Sequence, residues 1–87
     1  MKNKVLIKLI IPELDTNFDV FIPVNEVIWK IKQLLLKSIN DMINIPLNTD
    51  INYVLLNKSN SRIYSNNEIV INTDIRNGTE IILISSN

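Results

Sequence analysis

Residues 23–42 read PVNEVIWKIKQLLLKSINDM, and the spacing of the apolar side chains in this stretch decides the fold. Pro23 stops the segment before it. Asn25 suits a helix N-cap, and Glu26 places a negative charge where the positive end of the helix dipole favours it. Val27, Ile28, Ile31, Leu34, Leu35, Ile39 and Met42 then recur at three- and four-residue steps, while Lys30, Gln33, Lys37 and Asn40 fall elsewhere. The spacing predicts one amphipathic helix over 25–42, about four to five turns long. Glu26 and Lys30 stand four apart in the favourable order and add about 0.2–0.5 kcal/mol, so packing of the apolar face must supply the rest.

On the N-terminal side of the helix the period changes to two. Val5, Ile7, Leu9 and Ile11 alternate with Lys4, Leu6, Lys8 and Ile10, the pattern of a strand whose side chains point alternately to opposite faces. Residues 12–17 are turn-forming, and Phe18, Val20 and Ile22 then alternate with Asp19 and Phe21, which completes a predicted β-hairpin. On the other side Pro46 forbids continuation of the helix. Ile51, Tyr53 and Leu55 alternate with Asn52, Val54 and Leu56 as a third strand; a polar tip at 57–61, expected to be exposed and mobile, leads to a short strand at 62–64. After an apolar patch at Ile69, Val70 and Ile71, the turn dipeptide Asn77-Gly78 introduces a last strand at 79–84.

The order is ββαβββ. A helix between two hairpin-like halves must bury its apolar face on one side of a sheet, so the expectation is an α+β fold with a mixed sheet of four to five strands and one helix across one face. The predicted core is Val5, Ile7, Val20, Val27, Ile31, Leu35, Tyr53, Leu55, Ile75, Ile81 and Leu83. Eighty-seven residues suffice for one domain of this kind, spanning 1–87.

The element order, the Ile45-Pro46 step into the third strand and the string at 73–83, TDIRNGTEIIL, are similar to ubiquitin-like domains of the β-grasp family. Within that family the size, the short N-terminal strand pair joined to Pro-Val-Asn-Glu-Val-Ile, and an end a few residues past the last strand resemble the YukD/EsaB group of type VII secretion systems. The resemblance implies a cytoplasmic accessory protein of a Gram-positive bacterium, acting on secretion components by contact. It assigns no residue a role, because the group has no diagnostic motif to match here.

Composition removes most chemistry. Histidine and cysteine are absent, which excludes Ser-His-Asp and Cys-His nucleophiles, thiol redox, disulfides and the usual zinc ligand sets. The single glycine, Gly78, leaves no Gly-rich loop for a phosphate. Net charge is zero and the basic residues are scattered, so nucleic acid is not an expected partner. No apolar run approaches the roughly 20 residues that span a bilayer, and the N-terminus has no complete signal segment, so the chain reads as soluble and cytoplasmic, without membrane insertion. Relatives that are conjugated, or that carry sulfur, resemble one another in activating a C-terminal Gly-Gly; this chain ends Ile84-Ser85-Ser86-Asn87, which speaks against that role, though an activated carrier remains the less favoured alternative. Glu13 with Asp15, Asp50 and Asp74 are the remaining carboxylate candidates. Solvated loop charge and turn capping account for them, so no catalytic, cofactor or metal site is assigned.

What remains is contact. Strand alternation sends Lys4, Leu6, Lys8, Ile10, Phe21, Val54, Leu56, Ile82 and Ile84 to the sheet face opposite the helix. That face holds many large apolar groups and few charges, the composition of a docking surface, although β-branched residues also simply suit strands. In ubiquitin-like domains this face is the common docking surface, and Val54, Ile82 and Ile84 fall near the positions it uses. A second candidate is the helix flank, where Trp29, Leu36 and Ile43 repeat every seven residues as the rim of the core or a seam for another helix. The expected partners are proteins, with secretion components or a second copy of the chain both compatible.

Overall fold

In the computed structural model, which describes residues 3–43 and 52–86, β1 (Lys4–Ile11) and β2 (Thr16–Pro23) form an antiparallel pair in which Val5 lies opposite Ile22, Ile7 opposite Val20 and Leu9 opposite Phe18. The two strands are joined by a single 3-10 turn, Pro12–Leu14. Asp15 closes that turn in the left-handed region (φ 49°), its N–H donating to the Pro12 carbonyl at 3.0 Å. Asp tolerates this conformation better than most residues.

The helix α1 (Ile28–Ile43) crosses the sheet, and β3 (Tyr53–Asn57) and β4 (Glu80–Ser85) complete it in the order β2-β1-β4-β3. The central pair β1·β4 is parallel, with Lys8 beside Glu80 and Ile10 beside Ile82, while β3·β4 is antiparallel, with Val54 beside Ile84 and Leu56 beside Ile82. The sheet is therefore mixed, as expected. One turn sets the parallel register: Gly78 N–H donates to the Leu6 carbonyl at 2.8 Å, and the Asn77 side-chain oxygen accepts from Leu6 N–H at 2.8 Å, standing in for a strand carbonyl.

Ile7, Leu9, Ile11 and Ile22 from the hairpin, Ile28, Ile31, Leu35 and Ile39 from α1, and Tyr53, Leu55, Ile81 and Leu83 from the other strands are buried together between helix and sheet, with Tyr64, Val70 and Ile75 from the connecting segment. Each large aliphatic contributes about 1.5–3 kcal/mol of burial before the entropy cost. Val5 and Val20, expected in the core, are only half-buried and pack against it.

Several boundaries differ from expectation. The helix begins at Ile28, three residues after Asn25. Its first N–H groups are taken by the backbone of a distant loop: Ile28 N–H donates to the Glu68 carbonyl at 2.8 Å and Trp29 N–H to that of Asn66 at 3.2 Å. Val27, also expected in the core, bridges to Ile69 and is half-buried. Glu26 and Lys30 do form the ion pair, at 3.8 Å. The apolar face is narrower than the pattern suggests, since Leu34 is 46% and Met42 57% exposed. The expected strand at 62–64 reduces to one bridge between Ile63 and Leu56, leaving four strands among the described residues. The tip at 57–61 is not simply an exposed loop: Asn57 is buried, its side-chain oxygen accepts from Ser59 N–H at 2.8 Å, and that of Asn60 accepts from Arg62 N–H at 3.0 Å. Ile45, Pro46, Asp50 and Ile51 lie outside the described residues.

Candidate protein-interaction surface

The register places every residue of the expected open face on the side away from the helix. Ile7, Leu9, Ile81, Leu83 and Leu55 point into the core; their neighbours Leu6, Lys8, Ile10, Ile82, Ile84, Val54 and Leu56 therefore point outward. Lys4 and Phe21 join them from the hairpin, Phe21 directly across from Leu6.

The face is not a uniform apolar sheet. Across the strands it resolves into rows. One row runs Asn17, Ile10, Ile82, Leu56, and beside it lie Ile84 and Val54. Ile10, Ile82, Leu56, Ile84 and Val54 are all half-buried, and Ile63, 62% exposed, extends the row past Leu56. Sequence reading missed Ile63 because only the bridge to Leu56 shows which way it faces. The next row is charged: Asp19, Lys8, Glu80, Lys58, the last two in contact at 3.8 Å. It separates the larger apolar cluster from a smaller one formed by Leu6 (37% exposed) and Phe21 (54% exposed). The expectation of few charges on this face is thus corrected: strand alternation puts Asp19 on the face of Phe21 and Glu80 on that of Ile82, and Lys58, past the end of β3, joins them through its contact with Glu80.

The helix flank behaves differently. Leu36 packs against the core, whereas Trp29 is 44% exposed. Both line an open cleft of about 400 Å3 with Lys32, Tyr53, Val54 and Asn66. Lys32 donates to the Asn66 side-chain oxygen at 2.6 Å, and burial lowers its pKa from the ordinary lysine value. Ile43 ends the helix.

The carboxylate candidates divide. Glu13 accepts from Ser85 N–H at 3.2 Å, tying the hairpin turn to the end of β4. Asp74 accepts from the Tyr64 hydroxyl, from Asn60 Nδ2 at 3.1 Å, and faces Arg62 at 3.5 Å. The Tyr64 hydrogen bond, followed by Asn60 and the Arg62 charge, holds the Asp74 carboxyl below the usual range. A carboxylate so fully engaged is a structural acceptor, not a free base. Among the described residues no group of three or more potential ligand side chains is placed to hold a metal, and no helix is long and apolar enough to cross a membrane.

No family model matches the sequence, and no curated protein matches it. The likeness lies in shape. The chain superposes on the ubiquitin-like domain of EccD5 from Mycobacterium xenopi with a TM-score of 0.79 at 15% identity, covering 94% of this chain and 93% of that one. The fold is the ubiquitin-like β-grasp. A chain of the MycP5-free ESX-5 inner membrane complex matches this β-grasp with a TM-score of 0.80 at 15% identity over 95% of it, but the match spans only 21% of that longer chain. The same β-grasp occurs in a chain of the toluene 4-monooxygenase HD complex, at a TM-score of 0.77 with 5% identity, covering 95% of this chain and 99% of that one. One fold thus occurs in an inner membrane complex and in a monooxygenase complex, so shape alone leaves the choice of partner to the surface chemistry.

Proposed function

We propose that this chain is a non-enzymatic ubiquitin-like protein-interaction module, a single domain over 1–87, that acts as a cytosolic accessory or regulatory component of a type VII secretion system and docks through its open sheet face. The observation that carries the reading is the row Ile10, Ile82, Leu56 with Val54 and Ile84, an apolar cluster on the sheet face opposite α1. Two findings support the secretion context: the likeness in shape to the EccD5 ubiquitin-like domain and to a chain of the ESX-5 membrane complex. The resemblance of the chain's size and helix approach to the YukD/EsaB group adds to it, and with it a Gram-positive bacterial source. The mechanism is contact, without conjugation: the single glycine sits inside the turn at 78, where it sets the register of β4, and no reactive tail is needed for a docking role.

The test is to replace Val54 and Ile82 by Asp and compare capture of type VII secretion components. Both positions are half-exposed on the open face, so the far-UV spectrum should stay that of the wild type while capture is lost; capture at wild-type level by the folded variant refutes the surface. The C-terminally activated carrier is the other class of function. It predicts mass added at the tail in cells, whereas a docking module retains its encoded mass. The first alternative is a structural homo-oligomeric domain with no distinct ligand, which light scattering on dilution separates from a monomer that awaits a partner.

A further inference from the structure

We infer that the open sheet face is self-complementary and pairs with a second copy of the chain about a two-fold axis running along the strands. The observation is the charged row. In the spatial order β2-β1-β4-β3 it reads Asp19, Lys8, Glu80, Lys58, so the sign alternates from one edge of the sheet to the other. A face that meets its own copy must do so through an isologous contact, and face-to-face sheets whose strands stay aligned leave two choices of axis in the plane between them, along the strands or across them.

If the axis runs across the strands through the row, each residue meets itself, and all four charges face a like charge. With the axis along the strands, between β1 and β4, the order is reversed in the second copy. Lys8 then faces Glu80 of the copy, Asp19 faces its Lys58, and each pairing occurs twice. The same operation sets Ile10 over Ile82 of the copy and sets Leu6 over its Asn77-Gly78 turn. There the missing side chain leaves room: a Cβ added at Gly78 has no neighbour within 4 Å, and Leu6, Lys8, Asp19, Gly78 and Glu80 line one shallow recess. Aligned packing of two twisted sheets, about 30° apart, is compatible with this axis. The chain's zero net charge adds no long-range repulsion between copies.

The face is small. Four strands spaced about 4.8 Å apart, over some six residues of about 3.3 Å each, present about 400 Å2. That is about half of what each partner buries in a stable complex. The association should therefore be weak and readily displaced by a larger partner on the same face. This inference shares with the proposed function only the claim that the open face is a contact surface.

The experiment is sedimentation of wild type, Lys8→Glu and Glu80→Lys, alone and mixed, with far-UV spectra to confirm the fold. Wild type should show a concentration-dependent dimer that weakens as salt rises. Each single variant should be monomeric, because its own copies now oppose like charges. The equimolar mixture should associate: the carboxylate introduced at position 8 of one chain meets the ammonium introduced at position 80 of the other, and the unaltered Glu80 of the first meets the unaltered Lys8 of the second. Mixing changes nothing within a chain, so recovery reads the contact between copies alone. Asp19→Lys and Lys58→Asp give the same crossed test at the outer pair if either inner variant fails to fold. Wild type that stays monomeric to about 1 mM, far above the affinity of a specific complex, overturns the inference, as does association that survives Lys8→Glu unchanged or a mixture that does not associate. Folded, monomeric Asp19→Lys that still captures secretion components would leave the docking function standing on its own.

Discussion

The Tyr64 hydroxyl donates to Asp74 Oδ1 at 2.5 Å and accepts from Asn57 Nδ2 at 3.2 Å, while its ring is buried under the guanidinium of Arg62, 5.1 Å from the ring centre. Arg62 also pairs with Glu68 at 2.7 Å, and Glu68 supplies the carbonyl that receives the first helical N–H. One phenol thus ties together the end of β3, the segment before β4 and the loop that caps α1.

Tyr64→Phe keeps the ring but leaves Asn57 and Asp74 without their shared partner. The expected loss is about 1–3 kcal/mol, read as a lower urea midpoint at unchanged slope. A variant as stable as wild type would show that the network adds nothing to the fold.

The same pair predicts the pH limits of stability. Burial, and then the bond to Asp74, push the Tyr64 phenol up to about 12, against about 10 in an unfolded chain. Because the folded value is the higher, the neutral phenol stabilises the fold below pH 10, and that stability is lost as pH rises from about 10 to 12. Tyr53, also raised by burial and then by Glu13, contributes to the same limb, so Tyr64→Phe should shrink the loss without abolishing it. Asp74 has the opposite sign. Its folded pKa is depressed, so its contribution is present above about pH 4 and lost as pH falls below it. Asp74→Asn should flatten that acid limb in urea titrations at stepped pH.

Ile31 and Leu34 separate the true helix face from the apparent one. Ile31→Ala removes a fully buried side chain and should cost about 2–5 kcal/mol, a large share of the total stability of a domain this size. Leu34, nearly half exposed, should cost less than about 1 kcal/mol on the same change. Thermal melts of the two variants check this directly, and equal losses would place Leu34 in the core after all.

Gly78→Ala probes the backbone with little steric confusion. The residue has φ +89°, and a Cβ there meets nothing within 4 Å, so the cost is conformational alone, about 1–2 kcal/mol. Gly78→Asn should cost less, since Asn visits positive φ more readily. Midpoints of chemical unfolding in the order Gly, Asn, Ala are the expected result.

Trp29 reports which surface a partner uses. It is the only tryptophan and sits on the helix flank, in a cleft that it shares with Val54 at the edge of the open face. Docking centred on Ile10, Leu56 and Ile82, none of which lines that cleft, should change its emission maximum little, whereas a partner helix on the flank would cover the ring and shift the emission to the blue.

The sequence by itself determined four strands, the helix and which side of each strand meets water, because periods of two and about 3.6 are set by backbone geometry and survive any arrangement of the elements; the segment at 62–64, too short to show a period, it did not settle. Ile7, Ile31, Leu35, Leu55, Ile81 and Leu83 were legible as core for that reason, and so were the apolar outward positions Ile10, Val54, Leu56, Ile82 and Ile84. Tertiary structure alone decided where the helix starts, since its cap is the backbone of Asn66 and Glu68, some forty residues away, and a main-chain carbonyl leaves no mark in composition. It decided that Tyr64 and Val70 are core and that Leu34 is not, because helix orientation against the sheet, not apolar spacing, chooses which part of a wide stripe is covered. It also aligned Asp19, Lys8, Glu80 and Lys58 into one row. Those residues come from four separate segments, and only the pairing of strands, fixed by long-range hydrogen bonds, brings them side by side.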